Sequence, residues 1–116
     1  MSVRLLVTGF SPFGVHASNP SERIVRALAD DPPPGVVLST RVLPVLYDIS
    51  FAMVQDALES ERLHGVLMLG LGAGREQIQF ERFAVNWRGS ATFDNGGRQI
   101  DGEPIDPAGP AAYFST

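Results

Sequence analysis

The chain contains no cysteine and no lysine among its 116 residues. Without cysteine there is no disulfide and no thiol nucleophile, and nothing points to an oxidising compartment. Without lysine, Schiff-base chemistry and the lysine of a phosphate-binding loop are excluded. Charge is sparse at 19% of residues, and the nine basic groups, all arginine, face 13 acidic ones for a net charge of -4. That balance argues against a nucleic-acid surface, which needs a basic stripe. No apolar run approaches the roughly 18 residues that a membrane-spanning helix requires. Residues 1–7 run directly into a short apolar strand, with no charged-then-apolar leader. A cytoplasmic protein with no membrane partner is expected.

What is present suits one compact domain over residues 1–116. The hydrophobic content is 44%, enough for a core at this length. Residues 3–8 are β-rich and close on Gly9, which predicts a buried strand. Asn19-Pro20 supplies an N-cap and a first-turn proline, and Glu22 suits the positive end of a helix dipole. Residues 20–29 then read as an amphipathic helix with Ile24, Val25, Leu28 and Ala29 inward, ended by Asp30-Asp31-Pro32-Pro33-Pro34-Gly35. Residues 36–45 read as a second strand, and residues 48–62 as a helix with Phe51, Val54, Ala57 and Leu58 inward. Residues 65–69 form a third, wholly apolar strand. Strand–helix–strand–helix–strand predicts a mostly parallel sheet with flanking helices, an α/β fold of the three-layer α/β/α kind. Residues 77–86 alternate like a further strand, and Asn95-Gly96-Gly97 signals the turn of a hairpin. Two crossovers on one side would leave the other sheet face bare, which favours a partner chain or a homo-oligomer.

Two loops at predicted strand ends hold the residues of interest. Phe10 and Phe13 lie on the Gly-, Ser- and Pro-rich loop after the first strand, where open α/β sheets gather ligands. Loop aromatics of this kind either fold back onto the core or wall a small apolar pocket. Gly70-Leu71-Gly72-Ala73-Gly74-Arg75 is a second glycine-rich loop. No clear helix follows it, so the anion cradle of a helix N-terminus is missing, and a tight turn with positive φ values is the plain alternative. Glu81 sits among Gln79, Phe83 and Val85 by alternation; an ion pair with Arg75 or Arg82 is its structural alternative. His16 and His64 read as surface residues without metal-ligand spacing. Ser11 lies in Gly-Phe-Ser-Pro-Phe-Gly, which is not the Gly-x-Ser-x-Gly nucleophile elbow.

Thr8-Gly9-Phe10-Ser11-Pro12-Phe13-Gly14, then Asn19-Pro20-Ser21-Glu22-Arg23, then Phe80-Glu81-Arg82-Phe83-Ala84-Val85-Asn86 resemble, in this order, the N-terminal half of pyroglutamyl-peptidase I, also called pyrrolidone-carboxylate peptidase. Arg41-Val42-Leu43-Pro44-Val45 agrees with that family's second strand. The resemblance implies removal of N-terminal pyroglutamate from peptides by a cysteine–histidine–glutamate triad, with no metal or organic cofactor. It implies Glu81 as the triad carboxylate, which orients a histidine. It implies Phe10 and Phe13 flanking the pyrrolidone ring, and Asn19, Gly70 and Leu71 in the substrate site, Leu71 through its main chain. Residues 111–116 resemble a segment beyond which family members continue, and their cysteine and histidine lie in that continuation. The family's arginine about ten residues after the glutamate aligns with Ala91, with Arg88 as the neighbouring alternative.

Three readings follow. The first is the truncated N-terminal part of a longer peptidase domain, inactive alone because it has neither thiol nor placed base. The second is a non-catalytic binder of a small cyclic amide or of a partner chain. The third, a nucleotide-binding α/β domain suggested by the two glycine loops, is disfavoured by the absence of lysine and of an acidic ribose contact.

Overall fold

The computed structural model describes residues 2–116. Its elements are β1 (Val3–Phe10), α1 (Pro20–Asp30), β2 (Val36–Leu43), α2 (Ile49–Ser60), β3 (Gly65–Met68), β4 (Phe83–Val85) and β5 (Ala112–Phe114). They fall into two compact units. The first comprises the chain up to Leu71 together with Asp94–Gly96, and the second Gly72–Phe93 with Gly97–Thr116.

In the first unit three parallel strands are ordered β2-β1-β3. β1 is central, in register from Val3↔Val36 to Phe10↔Leu43 on one side and from Leu5↔Gly65 to Thr8↔Met68 on the other. Its residues Leu6, Val7, Thr8 and Gly9 are buried, as a middle strand covered on both faces requires. The two faces carry different helices. Leu6 packs with Leu43 of β2 and with Val54 and Ala57 of α2, and Phe10, Met53 and Leu63 border that cluster. On the opposite face α1 lies so close that a Cβ on Gly9 would meet Ser21 O at 2.6 Å and Val25 Cγ2 at 2.9 Å. The bare face expected from the sequence is therefore not found in this unit. β1 to β2 steps one way along the sheet, and β2 to β3 steps back across β1. Two right-handed crossovers in opposite directions cover opposite faces.

Helix α1 begins as expected. Asn19 Oδ1 accepts from Ser21 N at 3.0 Å, Pro20 takes the first turn, and Glu22 pairs with Arg26 one turn on at 2.8 Å. Its buried stripe is Ser21 and Val25, continued by half-buried Leu28, while Ile24 and Ala29 are exposed. Val25 and Leu28 face inward as expected, and the stripe turns toward Ser21 rather than Ile24 and Ala29 because Gly9 leaves room for the small polar side chain. In α2, Val54 and Ala57 are buried as predicted, but Phe51 and Leu58 are exposed. β3 is an edge strand, and its Val66, Leu67 and Met68 are exposed rather than buried.

The second unit is built from short elements. β4 pairs antiparallel with β5, Phe83↔Phe114 to Val85↔Ala112, and the two phenylalanine rings lie 4.9 Å apart. The strand predicted over residues 77–86 shrinks to three residues because its partner β5 supplies only three. Asn86 braces the following loop: its Nδ2 donates to Asp106 O and Pro110 O, and its Oδ1 accepts from Asp106 N. Arg88 and Glu103 exchange backbone hydrogen bonds and an ion pair of 2.7 Å. Ser90 N donates to Ile100 O, so residues 88–90 and 100–103 run antiparallel. Asn95-Gly96-Gly97 lies in the wide loop between them and closes no two-residue hairpin, because Asp94–Gly96 returns to the first unit.

Candidate functional site

The strand order fixes where a ligand site falls. Open α/β sheets gather ligands at the carboxyl ends of their strands where the strand order changes direction, which in the order β2-β1-β3 is between β1 and β3. Those ends are adjacent here: Thr8 pairs with Met68, and Leu69 N donates to Thr8 O at 2.8 Å. The loop bearing Phe10 and Phe13 leaves one strand, and Gly70 and Leu71 leave the other.

Phe10 is half-buried and borders the apolar cluster under α2, so its ring folds back toward the core. Phe13 is half-buried and its ring meets that of His16 at 5.5 Å between centroids. Asn19 is 1% exposed. Its Oδ1 accepts from both Ser21 N and Ser21 Oγ, and its Nδ2 donates to Ser11 O at 3.3 Å. Ser21 Oγ in turn accepts from Phe10 N at 2.9 Å. This network ties the end of β1 to the start of α1 and fixes both ends of the intervening loop. Asn19 is thus a helix cap and a loop anchor. Leu71 is half-buried and Gly70 exposed. Of the glycines in that loop only Gly74 has positive φ, at 83°, so the expected left-handed turn is confined to it.

Glu81 lies in the second unit, on irregular backbone before β4, not within the strand expected there. Its carboxylate is 3.1 Å from Arg75 Nη1, and the two side chains are 73% and 50% exposed. The ion pair with Arg75, weighed from sequence as the alternative to a catalytic role, is present. At this exposure it is worth under about 1 kcal/mol, too little to commit the carboxylate elsewhere. Arg88 is held by Glu103 at 2.7 Å, and Ala91 is exposed.

His16 and His64 are exposed; His64 Nδ1 accepts from Arg4 N at 2.9 Å. Among the described residues no cluster of three metal-ligating side chains occurs. No helix among the described residues is long and apolar enough to cross a membrane. The amino end of α1 is closed by Asn19, which receives Ser21 N on its side chain and Glu22 N on its carbonyl. Among the described residues no helix follows the 70–75 loop. A groove of about 320 Å³ lined by Arg41, Ile49, Ala52, Met53 and Asp56 lies along α2 and includes none of the expected site residues. Missing from the sequence reading were Ser21, hidden as one helix residue among others, and the Asp94–Gly96 segment, whose Asn-Gly-Gly run signals a turn.

The pyroglutamyl peptidase family model matches residues 3–116. A pyrrolidone-carboxylate peptidase of Streptomyces coelicolor is 39% identical over 113 residues, covering 97% of this chain and 52% of its own length. That of Pyrococcus furiosus is 40% identical over 114 residues, covering 98% and 55%. Among solved structures, pyrrolidone carboxyl peptidase from Fervidobacterium islandicum superposes with a TM-score of 0.94 at 35% identity, over 97% of this chain and 54% of that one. Pyroglutamyl peptidase I from Bacillus amyloliquefaciens gives 0.92 at 33% identity, over 99% and 55%. The chain belongs to the pyroglutamyl peptidase family, and it spans about half the length of the relatives it matches.

Proposed function

We propose that this chain is the amino-terminal, substrate-binding part of a peptidase domain that removes N-terminal pyroglutamate from peptides. The reading is carried by the match of the pyroglutamyl peptidase family model over residues 3–116, and it is supported by two loops that leave the adjacent carboxyl ends of β1 and β3. One bears Phe10 and Phe13, anchored by Asn19, and the other bears Gly70 and Leu71. The half-buried Phe13 ring, the part of Phe10 not turned to the core, and main-chain polar groups suit a flat, neutral cyclic amide, which needs apolar walls and a few directed hydrogen bonds. Glu81 is the carboxylate that orients a catalytic imidazole, and its exposure leaves it available for that partner.

In the complete reaction a thiolate attacks the pyroglutamyl carbonyl and the carbon–nitrogen bond to the next residue breaks. The imidazolium protonates the leaving amine, and water then hydrolyses the thioester. This chain contributes neither thiol nor a placed imidazole, so it is inactive alone. Turnover of a pyroglutamyl coumarin amide by the purified 116-residue chain overturns that statement. The pocket is tested by calorimetry with L-pyroglutamate amide and 2-pyrrolidone; absence of heat at millimolar ligand removes it.

A second reading, a non-catalytic binder of the same ring or of a partner chain, is favoured by the absence of cysteine. It predicts binding that persists when no complementing chain is supplied. The cytoplasm suits a chain without disulfides. Self-association is expected through the exposed edge strand β3, and light scattering at increasing concentration reads it directly.

A further inference from the structure

Residues 12–18, which carry Phe13, have little to hold them in place. Within the loop His16 N donates to Phe13 O at 3.2 Å, and the loop ends are pinned at Ser11 and Asn19. A further hold, on its first residue, comes from a segment some eighty residues away. Asn95 Nδ2 donates to Pro12 O at 3.0 Å, while Asn95 N donates to Val45 O at 2.9 Å. One residue earlier, Asp94 Oδ2 accepts from Tyr47 N at 2.9 Å and its Oδ1 accepts from Gly96 N at 2.9 Å. The second bond is a local turn that fixes the carboxylate and aims it at Tyr47. Gly96 lies close over the loop after β2: a Cβ there would meet Leu46 Cδ2 at 3.0 Å.

The loop after β2 needs such support. Asp48 has φ 68° and ψ -44°, with Ile49 N bonded to Tyr47 O at 2.8 Å. That is a three-residue turn of the rare, strained hand, which persists only where neighbours over-determine it. Asp94–Gly96 is therefore a strap across the carboxyl edge of the sheet. It binds the Phe13 loop by one side chain and the strained loop after β2 by a carboxylate and a main-chain amide.

We infer that Asp94 and Asn95 are positioning residues for the pyroglutamyl pocket, setting the place of Phe13 through the Asn95–Pro12 hydrogen bond. The inference rests on the pocket reading above, and the experiment separates the two. The probe is L-pyroglutamate amide, titrated into the 116-residue chain, Asn95→Ala and Asn95→Asp, with backbone amide exchange at Phe13 and Gly14 followed by NMR. Asn95→Asp keeps the side-chain shape and loses the N–H donor, so it reports on the bond even if Asn95→Ala folds poorly. Both variants are expected to weaken binding about fivefold, as loss of one ordinary hydrogen bond allows. Exchange at Phe13 and Gly14 should rise, with unchanged exchange in β1 and α1.

Equal affinity in wild type and both variants, with unaltered exchange at Phe13, overturns the positioning role and leaves the pocket standing. Loss of protection throughout β1 in both variants also overturns it, since the strap is then needed for the fold as a whole. No binding by the unsubstituted chain overturns the pocket, and the positioning role falls with it.

Discussion

Two buried polar residues at neighbouring places on the first unit behave oppositely. Asn19 satisfies three hydrogen bonds while 1% exposed. Its replacement by alanine strips the cap from α1 and leaves Ser11 O and Ser21 N with one partner fewer. A loss of about 2 kcal/mol is expected, combining a helix cap with buried groups left unpaired. Urea unfolding of Asn19→Ala measures it, and a midpoint equal to wild type rejects the anchor role. Thr8 has the contrary problem. It is fully buried, and its Oγ1 has no hydrogen-bond partner among the described residues. A buried hydroxyl without a partner carries its full desolvation cost, and an apolar group of similar shape removes it. Thr8→Val should therefore raise the melting temperature by a few degrees; a lowered one would show that the hydroxyl is used.

At the scale of elements, the docking of α1 on β1 is decided by one missing methyl group. A Cβ at Gly9 would lie 2.6 Å from Ser21 O and 2.8 Å from Ser21 C, both backbone atoms that cannot swing aside. Gly9→Ala forces the helix to back off and disturbs the Ser21–Phe10 bond. About 1–3 kcal/mol of overpacking strain is expected, seen as a lower urea midpoint with an unchanged slope. A fully stable Gly9→Ala would mean that α1 slides freely on the sheet. This contact also shows what the sequence could convey. The caps, the prolines and the apolar runs placed β1, α1, β2, α2 and β3 nearly to the residue, because those signals are local. Which flank of α1 or α2 is buried was not local. It depended on Gly9 admitting Ser21, and on the crossover direction setting α2 against Leu6 and Leu43. Likewise Phe10, Phe13 and Glu81 were named by motif. The partner of Pro12 O was not, because nothing near Asn95 in sequence announces a bond to residue 12.

Considered as a whole molecule, the two units should differ in resistance to opening. The first has a central strand covered on both faces and a cluster of Leu6, Leu43, Val54 and Ala57. The second has two three-residue strands, no helix, and Phe83, Val85, Tyr113 and Phe114 all exposed. Few buried apolar groups and exposed backbone bonds mean low local stability. Amide exchange is expected to be slowest at Leu6–Thr8 and faster by orders of magnitude at Phe83–Val85 and Ala112–Phe114. Equal protection of the two sets would contradict that ranking.

The strap has one more consequence, for how the molecule can be divided. The chain leaves the first unit after Leu71, contributes Asp94–Gly96, and leaves again at Gly97. No single cut therefore releases the first unit intact. A fragment ending at Leu71 keeps every strand and helix of the sheet but gives up the donors to Pro12 O and Val45 O and the acceptor for Tyr47 N. For the same reason an insertion between Phe93 and Gly97, on a loop that looks expendable, would act on the Phe13 loop from a distance in sequence. Boundaries drawn here by where the regular elements stop would divide the wrong object.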